Sequence, residues 1–147
     1  MPRVDLGGHP LRGVFLISPW VSFDYDTTSA RVNKDIDMIS AHGCKGASKQ
    51  FLGSSEEDEY SVPLRASSEW WRGVEAQRSL ITSGSYEIFA SDIAAFAKKF
   101  QVHNPATEVF EAQHEIHDQG LIDGILGYET PASEKYMQRW VIKLLRE

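Results

Sequence analysis

The apolar residues of this chain fall into blocks, and the blocks predict three strands and two long helices. Within residues 11–17, Val14-Phe15-Leu16-Ile17 is apolar without alternation, the pattern of a strand covered on both faces, as in a parallel sheet. Ser79-Leu80-Ile81-Thr82, within 77–83, reads as a second short strand that Gly84 breaks. Residues 106–112 alternate polar and apolar through Thr107 to Ala112, as a strand in the outer part of a sheet does. Between the second and third strands, Ile93, Phe96, Ala97 and Phe100 recur at helical spacing and predict a helix near 88–100. Ser91 and Asp92 stand near its start, where side-chain oxygens cap free amides, and Lys98 and Lys99 stand at its end. A last helix near 130–146 begins at Thr130 as N-cap with Pro131 at the first helical position. Its apolar stripe is Met137, Trp140, Val141, Leu144 and Leu145.

Strand, turn and helix in this order predict an α/β fold of about three parallel strands with flanking helices. The strand at 11–17 precedes every neighbour. The later strands can fill only one of its sides, which leaves an apolar edge open to association.

Residues 20–75 leave the strand–helix rhythm and read as a lid-like insertion between two strands. Long excursions of this kind usually serve as lids or binding loops. Trp20 to Tyr25 is an aromatic-rich loop, and 37–52 has helical character with Met38, Ile39, His42, Phe51 and Leu52 as inward candidates, although Gly43 and Gly46 oppose it. Ser54 to Glu59 is an acidic, solvated run, and Glu69 to Arg72 reads as a short helix. Trp70 and Trp71 serve equally well as packing of the insertion onto the sheet. Residues 1–10 read as a lead-in loop, and a linker carries Gly120, Gly124 and Gly127.

At 147 residues, 41% hydrophobic and 24% charged, the chain has the composition of one globular domain, 1–147. A net charge of -6 without a basic cluster argues against nucleic acid as a partner. Cys44 is the single cysteine, so no internal disulfide forms. No apolar run is long enough to span a bilayer, and the first residues lack the apolar core of a signal peptide. The default compartment is the cytoplasm.

Two strand ends carry titratable groups: Glu87 after the second strand and His117 after the third. Parallel strands put both at one rim of the sheet, where functional groups gather. A carboxylate beside an imidazole there is the acid–base part of a Ser–His–acid triad, in the chain order acid then histidine. A carboxylate in the first turn of a helix also has a plain electrostatic use. His114, His117 and Asp118 could together suggest a metal site, but the spacing is not that of H-E-x-x-H, and no ligand-rich partner segment exists.

Several short runs resemble one family. Arg12 to Trp20, ending in Ser18-Pro19-Trp20, looks like the strand and SPW turn of hormone-sensitive-lipase-like α/β-hydrolases, especially fungal esterases. Ser61-Val62-Pro63-Leu64 resembles that branch's SPL segment, Gly84-Ser85-Tyr86-Glu87 with Ser91-Asp92 its G-x-x-E…D-D stretch, and His117-Asp118 its HD pair. The likeness runs over essentially the whole chain but covers only the C-terminal half of such an enzyme.

The resemblance implies Glu87 as triad acid and His117 as general base, with Asp92 and His114 as the competing candidates. It implies an acyl pocket lined by Trp20, Phe23, Trp70 and Trp71, no metal or organic cofactor, and a small-molecule ester as substrate. The family's nucleophile motif G-x-S-x-G and its H-G-G oxyanion loop are both missing here. Ser83 to Glu87 is not a nucleophile elbow, Gly7-Gly8-His9 has the wrong order, and Ser18 stands on a strand end without the strained turn. The implied activity is a carboxylic ester hydrolase that needs an N-terminal half for completion. The alternative is a non-catalytic remnant or truncated gene product acting as a binding module, prone to self-association through its first strand.

Overall fold

A computed structural model describes residues 7–146. The first six residues of the lead-in loop lie outside them. The elements are β1 (Leu11–Ile17), α1 (Thr28–Val32), α2 (Ala41–Leu52), β2 (Ala76–Gly84), α3 (Ala90–Gln101), β3 (Thr107–Ala112), α4 (Gln119–Leu126) and α5 (Ala132–Arg146), with 3-10 turns at Pro63–Arg65 and Ser68–Gly73. The three strands form one sheet in the order β1-β2-β3, parallel throughout. Ile17 pairs with Thr82 and Gly84 with Ala112, so all three strands end at one rim.

β2 is the central strand, and its Leu80 and Ile81 are fully buried on opposite faces. Burying each contributes on the order of 2 kcal/mol. On the Ile81 side lie α1 and α3, with Ile93, Phe96, Ala97 and Phe100 all inward as their spacing predicts. On the Leu80 side lies α5, through Met137 and Trp140. β1 has β2 on one side only among the described residues, and its residues Gly13 to Ile17 are half-buried.

Several local expectations are corrected. The helix expected over 37–52 starts at Ala41, capped by Ser40, and buries Cys44 and Ser48; Met38, His42 and Phe51 are exposed. Asp37 lies in the turns before it and makes long-range polar contacts instead. α3 starts after Phe89, which has no side-chain acceptor to cap it; Ser91 lies within the helix, and its hydroxyl accepts from the Ser29 amide in α1. On α5, Leu145 points to solvent, a position too far round the helix once Trp140 and Leu144 face the sheet. The first-turn amide of Ser133 is taken by the buried carboxylate of Glu115.

The glycines at 120 and 124 lie within α4 rather than a linker. A Cβ on Gly120 would stand 2.5 Å from the Ser133 hydroxyl, so the glycine permits α4 and α5 to cross closely. Gly84 has the same use at the rim. A Cβ there would run into the carbonyl oxygen of Glu115, in the loop after β3. Backbone atoms cannot swing aside as a side-chain tip does. Gly84→Ala is therefore expected to lower stability by about 2 kcal/mol or more, with a fall of several degrees in thermal midpoint for a chain of this size. An unchanged midpoint by circular dichroism would contradict this packing.

Candidate active site

The shared rim brings together Ser18 after β1, the turn Gly84 to Glu87 after β2, and the loop Gln113 to Asp118 after β3. Glu87 is fully buried. Its Oε1 accepts from the Ser18 hydroxyl at 2.6 Å and from the Gly84 amide. Its Oε2 faces His117 Nδ1 at 3.4 Å. The other ring nitrogen, Nε2, lies 3.4 Å from Asp118 Oδ2. Burial works to push the His117 pKa down, but hydrogen bonding to Glu87 and the charges of Asp118, Glu87 and Asp37 hold it above its ordinary value.

The segment after β1 fastens this rim. Asn33 Nδ2 donates to the carbonyls of Ser85 and Glu87, at 3.0 and 2.8 Å. Asp37 Oδ1 accepts from the His117 amide at 3.0 Å, and its Oδ2 accepts from the Ile88 amide at 2.8 Å. Ser29 Oγ donates to the Ile88 carbonyl at 2.7 Å. None of these three stands out in the sequence. The one available signal is that Asn33 and Asp37 are four residues apart, a spacing that can align two polar groups along one side of a turn.

Of the aromatic candidates, Trp20 and Phe23 lie on the His117 side. Trp20 stacks on Phe89 at 5.6 Å between ring centroids, and Phe89 meets the His117 ring edge-on at 5.5 Å. Phe23 packs against Trp20 at 5.4 Å. Trp20 and Phe23 also line an open groove of about 230 Å³ with Phe51, Tyr60, Ser61 and Pro63. The structure does not bring Trp71 to the rim. It is buried against Phe96 and Phe100, toward the other end of α3, and Trp70 packs on it at 4.5 Å while touching Tyr60.

Among the competing titratable residues, His114 is exposed, with its ring tilted against Tyr86. Asp92 is buried on α3 with Asp24 as its charged neighbour, while the Glu87 carboxylate is the one that faces His117 Nδ1. Among the described residues, no three metal-ligating side chains converge.

Known proteins share this fold. Residues 3–120 match the model of the alpha/beta hydrolase fold family. The chain belongs to that family. Among solved α/β-hydrolases, it is similar to a thermostable esterase from Pseudomonas putida, at 23% identity and TM-score 0.71 over 81% of this chain and 37% of the other. It is similar to a hormone-sensitive lipase from a metagenome library, at 18% identity and TM-score 0.75 over 94% of this chain and 46% of the other. A third likeness is to carboxyl esterase 2 from the mycorrhizal fungus Tuber melanosporum, at 16% identity and TM-score 0.62 over 74% of this chain and 36% of the other. The chain thus spans less than half the length of these solved α/β-hydrolases, and the fungal enzyme is one of several types among them. No curated protein matches the chain.

Asp92 gives a test of the packing around this α/β-hydrolase rim. Burial, then the charge of Asp24, pushes its pKa up to about 6. The unfolded value is about 3.9, so the folded state binds the proton more tightly. The resulting stabilisation is complete below about pH 4 and is lost as pH rises through about 6. Asp92→Asn should remove that loss and raise unfolding free energy at pH 8 by at most about 3 kcal/mol, less the part that solvent screens, with little change at pH 4. Urea denaturation at both values checks it, and a variant weakened at pH 8 would contradict it.

Proposed function

We propose that this chain is the acid-and-histidine part of a carboxylic ester hydrolase of the esterase/lipase type. The observation that carries the reading is the division of labour on Glu87. One carboxylate oxygen is fixed by Ser18 and Gly84, and the other faces His117 Nδ1. A carboxylate so held keeps the imidazole in the tautomer whose Nε2 accepts a proton from an attacking hydroxyl. Glu87 is the triad acid and His117 the general base. The open groove beside Trp20 and Phe23 suits the apolar portion of a small ester, and residues 20–75 act as its cover within a single domain, 1–147. Trp70 supports that cover through Tyr60, and Trp71 anchors it to α3.

The reaction needs a nucleophile and an oxyanion hole, and the sequence carries neither G-x-S-x-G nor an H-G-G loop. Ser18 Oγ already donates to Glu87, which makes it part of the acid's support. The chain therefore completes an active site when combined with an N-terminal half of the fold and is inactive alone. Purified chain is expected to hydrolyse a short p-nitrophenyl ester at the buffer rate. Turnover that His117→Ala abolishes would contradict that. A direct test of the pair itself is the imidazole titration of Glu87→Gln by NMR. Loss of the carboxylate should lower the His117 pKa from a value above about 6.5, and an unchanged value would sink the assignment.

A second reading, an interaction module, is favoured by the side of β1 that has no strand partner among the described residues and by the adjoining apolar groove. That groove, of about 590 Å³, is lined by Phe15, Ile17, Leu121, Ile125, Met137 and Val141 among others. An apolar edge promotes pairing, and from Gly13 to Ile17 β1 carries no charge, its one charged residue being the exposed Arg12. The isolated chain should self-associate at micromolar concentration in light scattering; a stable monomer would count against this. No helix among the described residues is long and apolar enough to cross a membrane. The acidic balance supports a partner other than nucleic acid, and nothing in the proposed chemistry calls for a metal or organic cofactor.

A further inference from the structure

We infer that Asp37 is the positioning residue that sets the acid turn and the histidine loop in register, by binding one backbone amide from each. The inference rests on the Glu87–His117 reading for its catalytic meaning, though the geometry stands without it. Asp37 Oδ2 accepts from the amide of Ile88, the residue after Glu87, at 2.8 Å. Asp37 Oδ1 accepts from the amide of His117 itself at 3.0 Å. It also accepts from the Met38 amide at 2.8 Å, which fixes the carboxylate on its own turn. The two strand ends are otherwise joined by the amides of Ser85 and Tyr86 donating to the carbonyls of Ala112 and Glu115, by the His114 amide on Ser85 Oγ, and by the loose 3.4 Å contact of His117 with Glu87. Asp37 thus spans directly from one side of the acid–base pair to the other.

Asn33 completes the clasp four residues earlier. It donates to the carbonyls of Ser85 and Glu87, where Asp37 takes the amides of Ile88 and His117. The amide side chain meets carbonyls and the carboxylate meets N–H groups, so each is matched to its partners. The segment after β1 is thereby a structural clasp for the rim. Bonds that backbone amides donate to an ionised carboxylate are stronger than neutral ones, which suits a tie between two loops.

The carboxylate acts on His117 through charge as well as position. The groups facing the imidazole are Glu87 from the turn after β2, Asp118 from its own loop, Asp37 from the clasp, and the apolar ring of Phe89. Three carboxylates favour the imidazolium, and burial opposes it. Removing Asp37's charge while keeping its shape should weaken proton binding at His117 and loosen its hold on the two amides at once.

The test uses the full chain and needs no substrate. In the wild type, NMR couplings across hydrogen bonds should link the Asp37 carboxyl carbon to the amides of both Ile88 and His117; their absence at either amide would overturn the inference. In Asp37→Asn, the side-chain NH2 must face one of the two backbone N–H groups. Hydrogen exchange at Ile88 or His117 should therefore accelerate at least tenfold, and the His117 acid dissociation constant should rise about threefold. A variant that folds, with both readouts unchanged, would also overturn it. If Asp37→Asn fails to fold, the wild-type couplings decide the matter. Glu87→Gln separates this inference from the catalytic reading. A His117 pKa that ignores Glu87→Gln, while both Asp37 couplings are present, would sink the acid–base assignment alone.

Discussion

A carboxylate with no exposure to water must have its charge met inside the protein, because an isolated buried anion is far less stable than a hydrated one. Glu87 is that group, fully buried at the rim of the sheet. Much of the local architecture answers its demand. The parallel register delivers the amide of Gly84 and the hydroxyl of Ser18 to one oxygen and the His117 ring to the other. Gly84 must be glycine because the loop bearing His117 occupies the space where its Cβ would be. The tightness of the turn and the approach of the histidine loop are one feature.

The same demand gives the insertion two uses. Its first part, from Ser29 to Asp37, binds carbonyls and amides of the acid turn and the histidine loop through side chains. Aromatic rings on either side of that part pack inward, with Trp71 sunk against α3 and Trp20 stacked on Phe89. The excursion is therefore a clasp at the rim and a wall of packed rings behind it. This packing leaves an open groove on the Trp20 side.

The strands and the two long helices are legible in the sequence because each has a simple pattern, apolar blocks at β1 and β2 and a 3.6-residue stripe on α3 and α5. The shared rim is legible for the same reason, since parallel strands end together. The clasp is not. Asn33 and Asp37 bind backbone groups 51 to 80 residues away, and no local pattern encodes a backbone partner. α4 is hidden for another reason. Its glycines look like a linker, and only the close crossing over Ser133 explains Gly120. Phe51 has the type and spacing of an inward residue on α2, yet it is exposed and lines a groove instead.

The proposed acid–base roles of Glu87 and His117 depend on which nitrogen of His117 carries the proton when the ring is neutral. The nitrogen-15 spectrum of the imidazole, recorded above its pKa, reports this directly. The expected result is the Nδ1–H tautomer, with its proton shielded from exchange by Glu87 and Nε2 left unprotonated beside Asp118. A neutral ring protonated mainly at Nε2, with Nδ1 showing no link to the Glu87 carboxyl, would contradict it.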